Sequence, residues 1–88
     1  MKLLIVIIRD EDNDRVSAAL TEQGYRVTFI ASTGGFFRSG RATLLIGLED
    51  ERVQHALDLI RSVASEPKQD NEHKATVFVL NVSEFVQL

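Results

Sequence analysis

Residues 25–48, YRVTFIASTGGFFRSGRATLLIGL, contain two runs of strand-forming residues joined by a short glycine-rich turn. The runs are residues 25–32 and 42–48, and because the connection is short they are predicted to pair as antiparallel strands. Strict alternation divides the first run between two faces. One face would carry Tyr25, Val27, Phe29 and Ala31, and the other Arg26, Thr28 and Ile30.

The sequence before this hairpin predicts one strand and one helix. Residues 3–8 form a continuous apolar run, which is typical of a strand at the centre of a sheet. The charged residues 9–14 end that run and offer N-cap residues and first-turn acids for a helix. Gly24 lies where a C′ glycine would end the helix.

The sequence after the hairpin predicts a second helix, a loop and a fourth strand. Asp50 is the predicted cap of the helix, and residues 64–74, which contain Pro67, are predicted to form a mobile polar loop before a strand at 75–82. The order βαββαβ predicts an α+β, ferredoxin-like fold in one domain, residues 1–88. Its four-stranded antiparallel sheet carries two helices on one face, so the uncovered face needs a partner.

Composition narrows the possible functions. The net charge of −3 argues against a DNA partner, because the chain has no overall basic field. The absence of cysteine excludes disulfides and thiolate zinc sites and fits the cytoplasm. Charged residues 9–12 cut off the apolar start, which is too short for membrane insertion. A chain of 88 residues has a thin core, so a subunit interface is expected.

The turn between the two strands combines backbone freedom, aromatic surface and cationic donors. Gly34 and Gly35 permit close approach of a ligand, and Phe36 and Phe37 offer flat faces. Two arginines, Arg38 and Arg41, follow and suit phosphate or carboxylate. These features suggest a nucleotide, although an ordinary turn with buried phenylalanines and solvated arginines fits the same residues.

Catalytic and metal-binding patterns find little support. His55 and His73 stand in no triad or metal-ligand pattern, and solvated side chains explain them more simply. Residues 10–14 lack the spacing of a calcium loop, so helix capping is the preferred explanation. The glycines lead into a strand and match no phosphate-loop motif. No enzyme activity, metal or cofactor is predicted.

Taken together, these residues resemble the PII-like cyclic di-AMP receptor family. The resemblance runs through residues 26–28, 31–40, 46–47, 75–79 and 85–88 and covers most of the chain outside 64–74. It implies a non-catalytic, cytoplasmic signalling protein that forms a homotrimer, with a nucleotide site in each cleft between subunits. A downstream protein would receive the signal.

The resemblance also implies which residues contact the ligand. Arg26 and Thr28 would bind it, Gly35, Phe36 and Phe37 would enclose an adenine, and Gly47 would leave space. Phe78 and Gln87 would complete the pocket. The chemistry of the turn itself adds Gly34, Arg38 and Arg41 as candidate ligand residues.

Two departures from the family pattern leave the ligand open. Arg41 stands where the family commonly has asparagine, and the loop before the last strand is short. The preferred ligand is cyclic di-AMP or a related adenine nucleotide. The alternatives are a PII-like protein that binds ATP, ADP, another small anion or a protein partner, and a small enzyme that uses His55.

Overall fold

The computed structural model describes residues 1–33 and 40–88, and its elements follow the predicted βαββαβ order. A short 3₁₀ turn precedes each helix, at Asp10–Asp12 and Asp50–Arg52. The helices are α1, Asn13–Glu22, and α2, Val53–Val63. The strands are β1, Lys2–Arg9; β2, Arg26–Ser32; β3, Arg41–Leu48; and β4, Ala75–Asn81.

The strands form one sheet in the order β2-β3-β1-β4, with every neighbouring pair antiparallel. The apolar run of β1 therefore lies inside the sheet, as its sequence predicts. Its alternate residues Leu4, Val6 and Ile8 are fully buried on one face. Residues of the same parity in β3, such as Leu44 and Ile46, lie on that face too.

Both helices cover this face of the sheet. Val16 and Leu20 of α1 join Ala56 and Ile60 of α2 in a single apolar core with the buried strand residues. Burial of such side chains is the main favourable contribution to folding. The predicted α+β arrangement of two helices on one side of an antiparallel sheet is confirmed. The side of the sheet away from the helices is called the open face below.

A Schellman motif ends α1 at the predicted glycine. Gly24 has φ +86°, its N–H donates to the carbonyl of Thr21 at 3.0 Å, and the Tyr25 N–H donates to Leu20 at 3.1 Å. This pair of hydrogen bonds satisfies carbonyls that the helix leaves free and turns the chain into β2. The predicted C′ role of Gly24 is confirmed.

The alternation predicted for β2 is wrong beyond Phe29. Phe29 faces Leu44, but Ala31 faces Thr43, so the register shifts by one residue between them. A bulge of this kind reverses the alternation of the side chains that follow it. Ala31 consequently lies on the open face, and Ser32 points to the helix side, where its Oγ donates to Asp10 Oδ2 at 2.5 Å.

The predicted side-chain capping of the helices is also wrong. Neither 3₁₀ turn nor the α-helix after it has a side-chain cap at its N-cap residue, although acidic residues occupy both first turns. Asp12 is instead fully buried and accepts from the N–H and Oγ of Ser65 at 3.2 and 3.0 Å. Asp50 pairs with the amino group of Met1 at 3.0 Å. Both carboxylates join distant segments, which short-range sequence patterns do not reveal.

The polar segment between α2 and β4 is tied to the start of α1. Besides the bonds from Ser65 to Asp12, Lys68 Nζ lies 3.4 Å from Glu11 Oε1. The N–H of Lys68 donates to Glu72 Oε2 at 3.2 Å. These contacts hold the segment beside the end of the sheet from which β2 and β3 lead to residues 34–39.

Candidate functional site

The open face of the sheet presents three rows of side chains, one residue from each strand. Within a row the residues are partners in the strand register, so their order across the sheet is β2, β3, β1, β4. The rows are Arg26, Gly47, Leu3 and Leu80; Thr28, Leu45, Ile5 and Phe78; and Ala31, Thr43, Ile7 and Thr76. The centre of the face is apolar, and its polar residues lie toward the edges and one end.

Arg26 and Gly47 are register partners, so the structure brings together two of the predicted ligand residues. Both line a cavity of about 230 Å³ with Arg52 from the turn before α2. A Cβ on Gly47 would lie 3.1 Å from Met1 Cε, although its backbone φ does not require glycine. Gly47 thus lies against the Met1 side chain, which lines the same cavity.

Arg52 is a second arginine of this cavity, and the sequence analysis did not single it out. Its guanidinium lies 4.0 Å from the centre of the Tyr25 ring and donates to the Gln23 carbonyl at 2.8 Å. The Tyr25 hydroxyl lies 2.5 Å from Nδ1 of His55. The His55 ring also stacks on the Tyr25 ring, with the two ring centroids 5.7 Å apart. His55 is thus a support for Tyr25 as well as an exposed side chain. The only sequence signal for Arg52 was its position in the first turn of a helix.

Thr28 and Phe78 share a row but lie on opposite edge strands. Three strand spacings separate them, which is about 14 Å. Phe78 is 54% exposed, with Leu45 and Ile5 between it and Thr28. Within one subunit these two predicted ligand residues cannot contact the same small chemical group.

Arg41 lies at the other end of β2 and β3 from Arg26. Its N–H donates to Thr33 Oγ1 at 2.8 Å, and the Thr33 N–H donates to its carbonyl at 2.9 Å. These bonds close the base of the hairpin, roughly 20 Å from Arg26 along β2. The predicted residues Gly34, Gly35, Phe36, Phe37 and Arg38 lie outside the described residues.

Gln87 follows β4 in a C-terminal tail without regular structure. The tail is exposed, including its apolar residues Phe85, Val86 and Leu88. Its first residue keeps one link to the sheet, because the Val82 N–H donates to the Met1 carbonyl at 3.1 Å. The structure therefore places Gln87 in an exposed tail that follows the edge strand β4.

Charged groups in the described ranges show no arrangement typical of a metal centre. Across residues 1–33 and 40–88, no three side chains of His, Asp or Glu are placed to hold a metal ion. One carboxyl has a clearly shifted pKa: the hydrogen bond from the Met1 ammonium group lowers the pKa of Asp50 and outweighs the opposing desolvation, with a further contribution from Lys2. No helix in these ranges is long and apolar enough to cross a membrane.

Comparisons with known proteins agree on the fold and indicate a family. A family model described as a cyclic-di-AMP receptor matches residues 1–71. Among solved structures, the chain is similar to the crystal structure of a functionally unknown protein from Pediococcus pentosaceus ATCC 25745, with a TM-score of 0.77 and 36% sequence identity. The alignment covers 99% of this chain and 96% of that one.

Proposed function

The chain belongs to the cyclic-di-AMP receptor family, and on that basis we propose that it binds cyclic di-AMP, or a related adenine nucleotide, without transforming it. We propose further that it does so as a PII-like homotrimer of single-domain subunits in the cytoplasm and signals to a downstream protein. The observation that carries the proposal is the open face, which has an apolar centre and, at its edges, side chains suited to binding phosphate and adenine.

The apolar centre of the open face supports the trimer. Leu3, Ile5 and Leu45 lie side by side on it, and Phe78 and Leu80 extend it to the β4 edge. A contiguous apolar surface of this kind is typical of an interaction site. Packing the open faces of three subunits toward a common axis would remove it from water.

The spacing of the ligand-type residues supports a site shared between subunits. Arg26 and Thr28 lie on the β2 edge, Phe78 lies on the β4 edge about 14 Å away, and Arg41 lies at the far end of the hairpin. One subunit cannot close these residues around a nucleotide. Neighbouring subunits in a trimer can bring the edge of one next to the hairpin of another.

Each group in this set has a suitable chemistry. The guanidinium of Arg26 and the hydroxyl of Thr28 donate hydrogen bonds to phosphate, and Gly47 leaves room beside them. Phe78 offers a ring for stacking on adenine, and the amide of Gln87 can both donate to and accept from its edge. Binding of this type breaks no covalent bond in the ligand, so the protein acts as a receptor.

Calorimetric titration with cyclic di-AMP tests the proposal. Arg26→Ala removes a charge-assisted hydrogen bond and should weaken binding about tenfold or more. The matched control is Arg61→Ala, which removes the same charge from an exposed position on α2. Light scattering should give both variants the mass of the parent protein. Equal affinity of Arg26→Ala and the parent would refute the site.

Arg41 supports a second candidate, a receptor for ATP or ADP. Since the family commonly has asparagine at this position, the cation could favour a ligand with more phosphate charge. A thermal-shift comparison of cyclic di-AMP, AMP, ADP and ATP distinguishes the two, because a ligand that binds only the folded state raises Tm. A shift with ATP or ADP alone would select the second candidate.

A further inference from the structure

A cavity of about 350 Å³ lies at the hairpin end of the sheet, and among the described residues that line it Arg41 alone was predicted to contact the ligand. Its walls are the end of β1, the start of β3 and the polar segment before β4. Arg9, Arg41 and Lys74 line it together with one carboxylate, Glu72. Its lining therefore carries an excess of positive charge at neutral pH.

Arg9 has hydrogen-bond donors that the described protein atoms do not satisfy. Its side chain is only 7% exposed, and Nη2 donates to the Ser65 carbonyl. Nε and Nη1 have no hydrogen-bond partner within residues 1–33 and 40–88. The nearest carboxylate oxygens belong to Asp12, 3.7 Å from Nε, and Glu72, 4.0 Å from Nη1, and both distances are too long for hydrogen bonds. Buried donors without acceptors are rare in native proteins.

The carboxylates near Arg9 already have other partners. Asp12 accepts two hydrogen bonds from Ser65 and pairs with Arg15. Glu72 accepts from the N–H of Lys68. Neither carboxylate can take up the free donors of Arg9 without moving. Arg9 and Glu72 both line the cavity, and Nη1 lies 4.0 Å from Glu72 Oε2, which places the free side of the Arg9 guanidinium at the cavity wall.

Arg41 supplies a second guanidinium from the neighbouring strand. Arg9 and Arg41 are register partners in β1 and β3. The exposed side chain of Arg41 makes no hydrogen bond or ion pair with residues 1–33 or 40–88, whereas Lys74 is engaged with Glu66 at 3.2 Å. Arg9 and Arg41 thus line one cavity with guanidinium N–H donors for which the described part of the chain supplies no acceptor.

We propose that this cavity binds a phosphate group, with Arg9 and Arg41 as its principal donors. The oxygens of a tetrahedral phosphate can accept hydrogen bonds from both guanidinium groups at once, and the planar guanidinium group matches phosphate geometry. Thr76 adds a hydroxyl to the lining, and Gln69 and Asn71 add amides suited to an attached sugar. The volume suffices for a phosphate with such a sugar.

The inference goes beyond the proposed receptor function, because it needs neither cyclic di-AMP nor a trimer. Within a subunit, the cavity lies at the opposite end of the sheet from Arg26 and Gly47. The phosphate could be inorganic or part of a nucleotide. Arg41 belongs to both proposals, whereas Arg9 belongs to this one alone.

Arginine Nε–Hε signals in ¹⁵N NMR test the proposal during a titration with inorganic phosphate, with ionic strength matched by chloride. The Arg9 signal, assigned by its absence in Arg9→Lys, should shift and saturate. Arg41→Gln should weaken the response at least fivefold, and the matched control Arg61→Gln should leave it unchanged. Because Arg41 is exposed, Arg41→Gln should fold. If Arg9→Lys does not fold, the Arg9 signal is assigned instead through the backbone resonances.

If the free donors of Arg9 are only hydrated, the Arg9 Nε–Hε signal will show no saturable shift with phosphate, and the proposal is overturned. An unchanged phosphate response in Arg41→Gln would overturn it as well. Replacing inorganic phosphate with AMP identifies the source: tighter binding of AMP indicates a nucleotide, and equal or weaker binding indicates phosphate itself.

Arg26→Ala separates this proposal from the receptor function. The variant should lose affinity for cyclic di-AMP and keep the Arg9 response to phosphate, and loss of both would overturn a separate cavity. Cyclic di-AMP binding without a phosphate response refutes this inference alone. A phosphate response without cyclic di-AMP binding refutes cyclic di-AMP as the receptor's ligand and leaves this inference standing.

Discussion

At the scale of single residues, Gly24 and Gly47 are needed for different reasons. Gly24 has φ +86°, where a side chain is strained, so Gly24→Ala should reduce the free energy of unfolding by about 1 kcal/mol. Gly47→Ala meets only the end of the flexible Met1 side chain and should change stability by less than about 0.5 kcal/mol. Urea denaturation measures both, and equal effects would contradict this assignment.

The ion pair between Asp50 and the Met1 ammonium group gives stability a specific pH dependence. Because the folded state lowers the pKa of Asp50, it binds this proton less readily than the unfolded chain does. The contribution is fully present above the unfolded carboxyl pKa of about 4 and is lost as pH falls through the lower folded value.

Asp50→Asn should therefore be less stable than the parent from pH 7 to about pH 4, and the difference should shrink below that range. Urea denaturation at a series of pH values measures it. Glu51→Gln, a neighbouring exposed carboxylate outside the ion pair, serves as the control. A difference that grew toward low pH would contradict the assigned shift.

At the scale of elements, the segment after α2 depends on one buried carboxylate. Asp12 accepts two hydrogen bonds from Ser65 and lies 3.7 Å from the buried Arg9. Removing it leaves a buried cation with a poorer partner, so Asp12→Ala should cost about 3–5 kcal/mol. Ser65→Ala removes only the hydroxyl bond and should cost about 1 kcal/mol.

Chemical denaturation of the two variants checks this order, with Asp58→Ala as the control for an exposed carboxylate on α2. The control should change stability by no more than about 0.5 kcal/mol. If Asp12→Ala cost no more than Ser65→Ala, the carboxylate would not be the main link between this segment and α1.

The elements also show how far the sequence predicts this fold. The apolar run of β1, the acidic first turns and Gly24 are local signals, and each lies at the element that it predicted. The bulge in β2 was missed because a register shift depends on the pairing of Phe29 and Ala31 with β3, which alternation within one strand does not contain. The capping predicted for residues 9–14 was wrong because the side chain of Asp12 bonds Ser65, which is far away in sequence.

The candidate site was harder to predict for the same reason. Residue chemistry singled out Arg26 and Thr28, the family resemblance added Gly47, and the register places the three close together on β2 and β3. It could not place Phe78 on the opposite edge, since that position follows from strand order. Arg9 was missed altogether, because its unsatisfied donors exist only once the turn before α1 and the segment before β4 fold around it.

At the scale of the whole molecule, the proposed trimer predicts unequal effects for two phenylalanines of equal exposure. Phe78 is 54% exposed on the open face, and Phe29 is 50% exposed on the helix side of β2. Burying one phenylalanine is worth about 1.5–3 kcal/mol, and a trimer contains three copies. Phe78→Asp should therefore weaken assembly by several kcal/mol per trimer, while Phe29→Asp should leave it largely unchanged.

Light scattering at micromolar protein concentration measures the mass, and circular dichroism checks that both variants remain folded. The expected result is a mass near that of one chain for Phe78→Asp and three chains for Phe29→Asp. Because both side chains are half exposed in the isolated subunit, neither substitution should unfold it. A trimeric Phe78→Asp, or a parent protein with the mass of one chain, would show that the open face is not the trimer interface.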